Sequence, residues 1–80
     1  MSNNQIQNDV IQILSGILEQ EIKLETSRED IQTWDSLKNI EVIFAIEDRF
    51  GIRFSEEEIL TFSKVNDIVE KVKAKISNEA

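Results

Sequence analysis

The sequence predicts an all-α fold, a small four-helix bundle with three longer helices and one short one, and three observations carry that prediction. Apolar residues recur at steps of three and four in three separate stretches, the spacing of a helix with one face turned inward. Capping and stopping residues stand where those stretches begin and end. With 80 residues and no internal repeat, the chain (1–80) has room for one small domain, which buries roughly 60% of its unfolded surface.

The first helix is expected from about residue 4 to residue 20, with an asparagine near its start. Ile6, Val10, Ile13, Leu14 and Ile17 mark its inward face. Between Glu21 and Trp34 the periodicity weakens and polar residues dominate. That stretch reads as a long loop pinned by Leu24, Ile31 and Trp34, and loops this long in small domains are often functional.

The second helix is the most informative. Asp35 is a favoured N-cap, no proline or glycine interrupts the run from Ser36 to Phe50, and Gly51 is placed to stop it. Val42, Ile43, Ile46 and Phe50 fall on one side as a core face. Leu37, Ile40 and Phe44 form a second stripe on nearly the opposite side, bordered by Glu41, Glu47 and Asp48. Burial on all sides would also produce two apolar stripes, but unpaired carboxylates are rarely buried. The stripe therefore reads as an exposed docking surface. Ser36 opens this helix, where free amides and the positive dipole end favour a phosphate. A serine after an N-cap aspartate is also an ordinary first-turn residue, and Asp35 is a nearby like charge, so physics alone leaves the role of Ser36 open.

Two further helices follow. Ser55 with Glu58 three residues on matches a capping box and opens a short helix to about Leu60. Within it, Glu56, Glu57 and Glu58 read as a solvated first turn suited to the helix dipole. Ser63 is placed to cap the last helix, whose inward face is Val65, Ile68, Val69, Val72 and Ile76. Lys71, Lys73 and Lys75 suit its C-terminal dipole.

Composition narrows the function. Sixteen acidic residues against nine basic ones give a net charge of -7, which opposes nucleic acid and anionic membrane and favours basic patches on partner proteins. The chain has no cysteine and no histidine. Disulfides, thiolate metal sites and Ser-His or Cys-His nucleophile pairs are therefore excluded, and the acidic run lacks the glycine and alternating ligands of a calcium loop. An independent active site is not expected. The polar start from Met1 to Gln5 is not a signal sequence, and no apolar run approaches a membrane span. A cytoplasmic, monomeric protein is the expectation.

Asp35-Ser36-Leu37, followed by Glu41, Phe44-Ala45-Ile46-Glu47 and Phe50-Gly51-Ile52, resembles the attachment motif and second helix of acyl carrier proteins. The resemblance covers most of the chain and is strongest from Trp34 to Ile76. It implies that Ser36 carries 4'-phosphopantetheine, donated from coenzyme A by a phosphopantetheinyl transferase, and that Asp35 belongs to the recognised motif as well as capping the helix. The arm's thiol would hold an acyl group as a thioester. Leu37, Ile40, Glu41, Phe44, Glu47 and Asp48 would form the surface read by acyl-loading and acyl-processing enzymes. Three departures blunt the likeness to fatty-acid carriers: Trp34 replaces a small residue, Lys38 an acid, and Arg49 interrupts the acidic run. These departures suit a specialised carrier rather than the main fatty-acid one, with ordinary drift equally able to produce them. A non-catalytic acidic adaptor, binding partners through the stripe without any prosthetic group, is the other reading.

Overall fold

The computed structural model describes residues 3–79. Four helices carry the regular structure: α1 (Asn3–Leu18), α2 (Ser36–Phe50), the short α3 (Glu56–Leu60) and α4 (Val65–Glu79). None of them is long and apolar enough to cross a membrane. α1 packs against both α2 and α4. The core between them comprises Ile6, Val10, Leu14 and Leu18 from α1, Val42, Ile43 and Ile46 from α2, and Val65, Ile68, Val69 and Val72 from α4.

Each helix departs from expectation in a small, explicable way. α1 ends at Leu18 because Glu19 takes a left-handed conformation, φ 54°. Leu18 is buried, whereas Ile13 and Ile17 are only half-buried at the edge of the face. α2 ends as predicted, with Gly51 in the left-handed region at φ 66°, where a side chain would be strained. Phe50, expected in the core, is half-buried, with the Arg49 guanidinium 5.9 Å from its ring centroid. Arg49 also reaches back to Asp9 of α1 at 3.0 Å, turning its charge away from the acidic run it interrupts.

The first connection is more ordered than its polarity suggests. Ile22 and Trp34 are buried, Leu24 and Ile31 pack half-buried against the core, and Arg28–Asp30 forms a short 3-10 turn. Its carbonyls serve α4: the Val65 amide donates to Thr26 O at 3.0 Å and the Asn66 amide to Leu24 O at 2.9 Å. Two first-turn donors of α4 are thus satisfied by a segment about forty residues earlier. The third, the Asp67 amide, donates to Lys64 O at 3.0 Å. The Asp67 carboxylate, not the Ser63 hydroxyl, caps the helix, accepting from both Ser63 N and Lys64 N at 3.0 Å, while the Ser63 hydroxyl itself donates to Asp67. Those bonds hold the Asp67 carboxyl below its usual value.

α3 contains no buried residue. Its capping box forms as expected, with Glu58 N donating to Ser55 Oγ at 3.1 Å and Ser55 N to Glu58 Oε1 at 2.8 Å. Glu58 is not, however, a solvated member of the acidic run. It pairs with Lys75 at 3.0 Å and Lys71 at 3.7 Å, tying α3 to α4. The Ser55 amide, then the two lysines, hold its carboxyl down to about 2. Lys71 and Lys75 therefore act as partners of Glu58, and Lys73 pairs with Glu70 at 3.2 Å.

Candidate functional site

The site is built on the N-terminal turn of α2. The Asp35 carboxylate accepts from Lys38 N at 2.8 Å and the Asp35 carbonyl from Asn39 N at 2.9 Å, so the cap closes the first turn. The amides of Ser36 and Leu37 have no acceptor among the described residues. Ser36 is exposed and its hydroxyl makes no hydrogen bond there. An accessible hydroxyl beside two unclaimed amides fits an anionic phosphodiester, because Asp35 has turned its charge into the cap and the helix end is positive.

From Ser36 the outer face of α2 runs away apolar. Leu37 is 71% exposed, Ile40 50% and Phe44 64%. Two turns of helix thus present large apolar side chains to solvent, which single surface residues do not explain. The acids along this face divide. Asp48 is exposed and makes no ion pair among the described residues. Glu41 pairs with Lys38 at 3.5 Å, so the lysine does neutralise part of the acidic edge. Glu47, expected to be solvated, instead accepts the Phe54 amide at 2.8 Å and closes the turn after α2. Its carboxylate serves the fold.

Three residues missed by the sequence reading complete the neighbourhood. Leu60 on α3 is 85% exposed, adding an apolar side chain beyond the predicted stripe. Ile59 faces α2 across an apolar cleft of about 230 Å³, lined also by Asn39, Ile40, Ile43 and Phe44. Asn39 is buried, and its Oδ1 accepts the Trp34 indole N–H at 2.9 Å. The signal for it was a polar residue in the core-facing register of α2, three positions before Val42 and four before Ile43. Trp34 itself packs in the core.

Comparison with known proteins identifies the family. The family of phosphopantetheine attachment sites matches residues 8–72, a span that contains the whole of α2. This chain belongs to the acyl carrier protein family. The carrier is similar to the acyl carrier protein of Clostridium acetobutylicum, 41% identical over 66 residues that cover 82% of this chain and 86% of the relative. It is also similar to that of Acidothermus cellulolyticus, 31% identical over 64 residues, covering 80% and 76% of the two chains. Acyl carrier protein 3 of Ralstonia nicotianae is 27% identical over 82 residues, covering 98% of the carrier and 93% of the relative. The group that such carriers hold is covalently attached 4'-phosphopantetheine, and carriers of this family work with phosphopantetheinyl transferases and acyl-processing enzymes rather than as catalysts.

Proposed function

We propose that Ser36 is the residue that takes the 4'-phosphopantetheine arm, and that the carrier delivers acyl groups to the enzymes of a specialised biosynthetic pathway. The observation that carries this reading is the coincidence of three features on one helix end: an unengaged, exposed hydroxyl, two amides without acceptors, and an exposed apolar stripe leading away from them. The arm, when bound, supplies a thiol that holds the acyl group as a thioester. The chain's own residues present it. Asp35 fixes the turn that exposes Ser36, the first amides of α2 face the phosphodiester charge, and tethering raises the cargo's effective concentration at each partner's active site.

Leu37, Ile40, Glu41, Phe44 and Asp48 form the partner surface in this reading, with apolar contact at its centre and acid at its edge. Basic patches on the transferase and on acyl-loading and acyl-processing enzymes complement it. Glu47 contributes little, because its carboxylate is committed to Phe54. The specialised pathway is favoured by Lys38, whose pairing with Glu41 reduces the charge offered at the position nearest Ser36, and by Trp34, whose bulk is built into the core beside the attachment turn.

Intact mass after incubation with coenzyme A and a broad-specificity transferase tests the assignment. One added arm is expected on the wild type and none on Ser36→Ala. An unchanged wild-type mass with several competent transferases leaves the adaptor reading in its place.

A further inference from the structure

Two cations belong to the surroundings of the attachment turn, and only one of them is paired. Lys38, in the first turn of α2, meets Glu41 at 3.5 Å. Arg28, in the 3-10 turn of the first connection, makes no ion pair among the described residues. It is nevertheless held in place. The side chain is half-buried, its Nε donates to Trp34 O at 3.4 Å, and its backbone amide donates to Ser63 O at 2.8 Å. Trp34 stands two residues before Ser36, and two residues of chain span at most ~7 Å. The terminal N–H groups of the guanidinium have no acceptor among the described residues. Neighbouring acids are engaged elsewhere: the Asp30 carboxylate accepts the Ser27 amide, and that of Asp35 accepts the Lys38 amide. Glu29 is exposed and makes no ion pair among the described residues. The other unpaired cations do not compete for the position. Arg53 follows the far end of α2, ~22 Å from its start for a helix of 15 residues, and Lys64 acts on the Asp67 carboxylate.

We propose that Arg28 is the counter-ion of the phosphodiester at Ser36, its guanidinium held beside the attachment turn by the Trp34 carbonyl and donating its free N–H groups to the phosphodiester oxygens. The inference rests on the carrier reading and on loading at Ser36. A phosphodiester there brings a permanent negative charge next to Asp35, itself an acid, and Arg28 supplies the opposite charge on the same turn. Arginine suits the task because its planar fork matches two oxygens of one phosphate and stays charged at every working pH. Partial burial strengthens the pair, since a half-covered guanidinium is less screened than a free surface lysine. Arg28 is a positioning residue in this scheme. It holds the root of the arm, so fewer arm conformers remain to be ordered when the carrier docks on an enzyme.

The test compares the full chain with and without the arm, as wild type, Arg28→Gln and Arg28→Lys, with intact mass verifying each loading and free coenzyme A removed. In the wild type the Arg28 Nε ¹H–¹⁵N resonance is expected to shift on loading, and the ³¹P resonance of the arm should differ between wild type and Arg28→Gln. Urea denaturation gives the second reading. Loading should raise the midpoint of the wild type more than that of Arg28→Gln, and about 1 M salt should remove the excess, because the screening length there falls to about 3 Å. Arg28→Lys, which keeps the charge without the fork, should recover part of it. An Arg28 resonance unmoved by loading overturns the proposal. So does an Arg28→Gln midpoint lowered equally with and without the arm, which would make Arg28 an anchor of the first connection through Trp34 and nothing more. A wild-type chain that accepts no arm removes the carrier reading itself, an outcome that the mass reveals before any resonance is compared.

Discussion

Phe44 and Ile46 stand two residues apart on α2, one on the proposed docking face and one in the core, so truncating each to alanine tests how the helix is divided. Ile46 is fully buried, and Ile46→Ala removes packed methylenes and leaves a cavity, a loss of ~2–5 kcal/mol. Phe44 is 64% exposed, so only about a third of its ~150–250 Å² is covered. At about 25 cal/mol per Å² that cover contributes ~1–2 kcal/mol. Alanine returns roughly 0.5 kcal/mol through its better helix propensity, leaving a net loss of ~1 kcal/mol for Phe44→Ala. Against a total stability of ~4–12 kcal/mol for a chain this size, Ile46→Ala takes a large share and Phe44→Ala a small one. Urea denaturation reads both, provided that the slopes stay equal and the midpoints carry the difference. Phe50, the obvious aromatic control, is unsuitable because it is only half-buried. Function should show the reverse order: Phe44→Ala, folded and loaded, should be a poorer substrate for a cognate acyl-processing enzyme. Comparable losses above ~2 kcal/mol at both positions would mean that α2 is buried all round, refuting the docking face.

The two adjacent acids at the end of α2 should separate in the same way. Glu47→Ala leaves the Phe54 amide without its acceptor and should cost ~1–3 kcal/mol in urea denaturation. Asp48→Lys should stay within about 0.5 kcal/mol of the wild type while slowing partner turnover and weakening its salt dependence; turnover insensitive to both salt and Asp48→Lys removes the acidic edge from the docking model. Glu58 governs the acid limb of stability. Its carboxyl is held down to about 2 from 4.5, so its contribution is fully present above 4.5 and drains away as pH falls toward 2. Glu58→Gln should therefore lose stability at neutral pH and fall less steeply on acidification, and parallel pH profiles for the two proteins would show that the carboxylate's bonds to the Ser55 amide, Lys75 and Lys71 contribute nothing to it.

Much of this fold is local chemistry, and local chemistry is legible in a sequence. Asp35, Ser55 and Gly51 act within three or four residues of themselves, so the bounds of α2 and the start of α3 follow from residue type alone. The core faces of α2 and α4 follow from periodicity, because a helix must bury one side and the spacing names it. The exposed stripe of Leu37, Ile40 and Phe44 was readable for a related reason, since acids bordering an apolar row oppose its burial. The short motif from Asp35 to Leu37 could suggest a phosphate-bearing serine, but it took the match across most of the chain to place the protein among acyl carriers.

What only the tertiary structure decided concerns side chains whose partners lie far along the chain. Asp48 and Glu47 are alike in sequence; the path of the turn after Gly51 brings the Phe54 amide to Glu47 alone. Glu58 looked solvated within a run of three glutamates until the packing of α3 beside α4 set Lys71 and Lys75 against it. The first two amides of α4 find their acceptors at Thr26 and Leu24, which no window around Val65 contains. Trp34 could have faced the core or the arm, and its burial, with its indole N–H donating to Asn39, settled the matter. A sequence determines which groups need a partner, through charge, hydrogen-bonding capacity and apolar area. Only the folded chain determines which partner arrives, because that depends on distances between elements rather than on spacing within one.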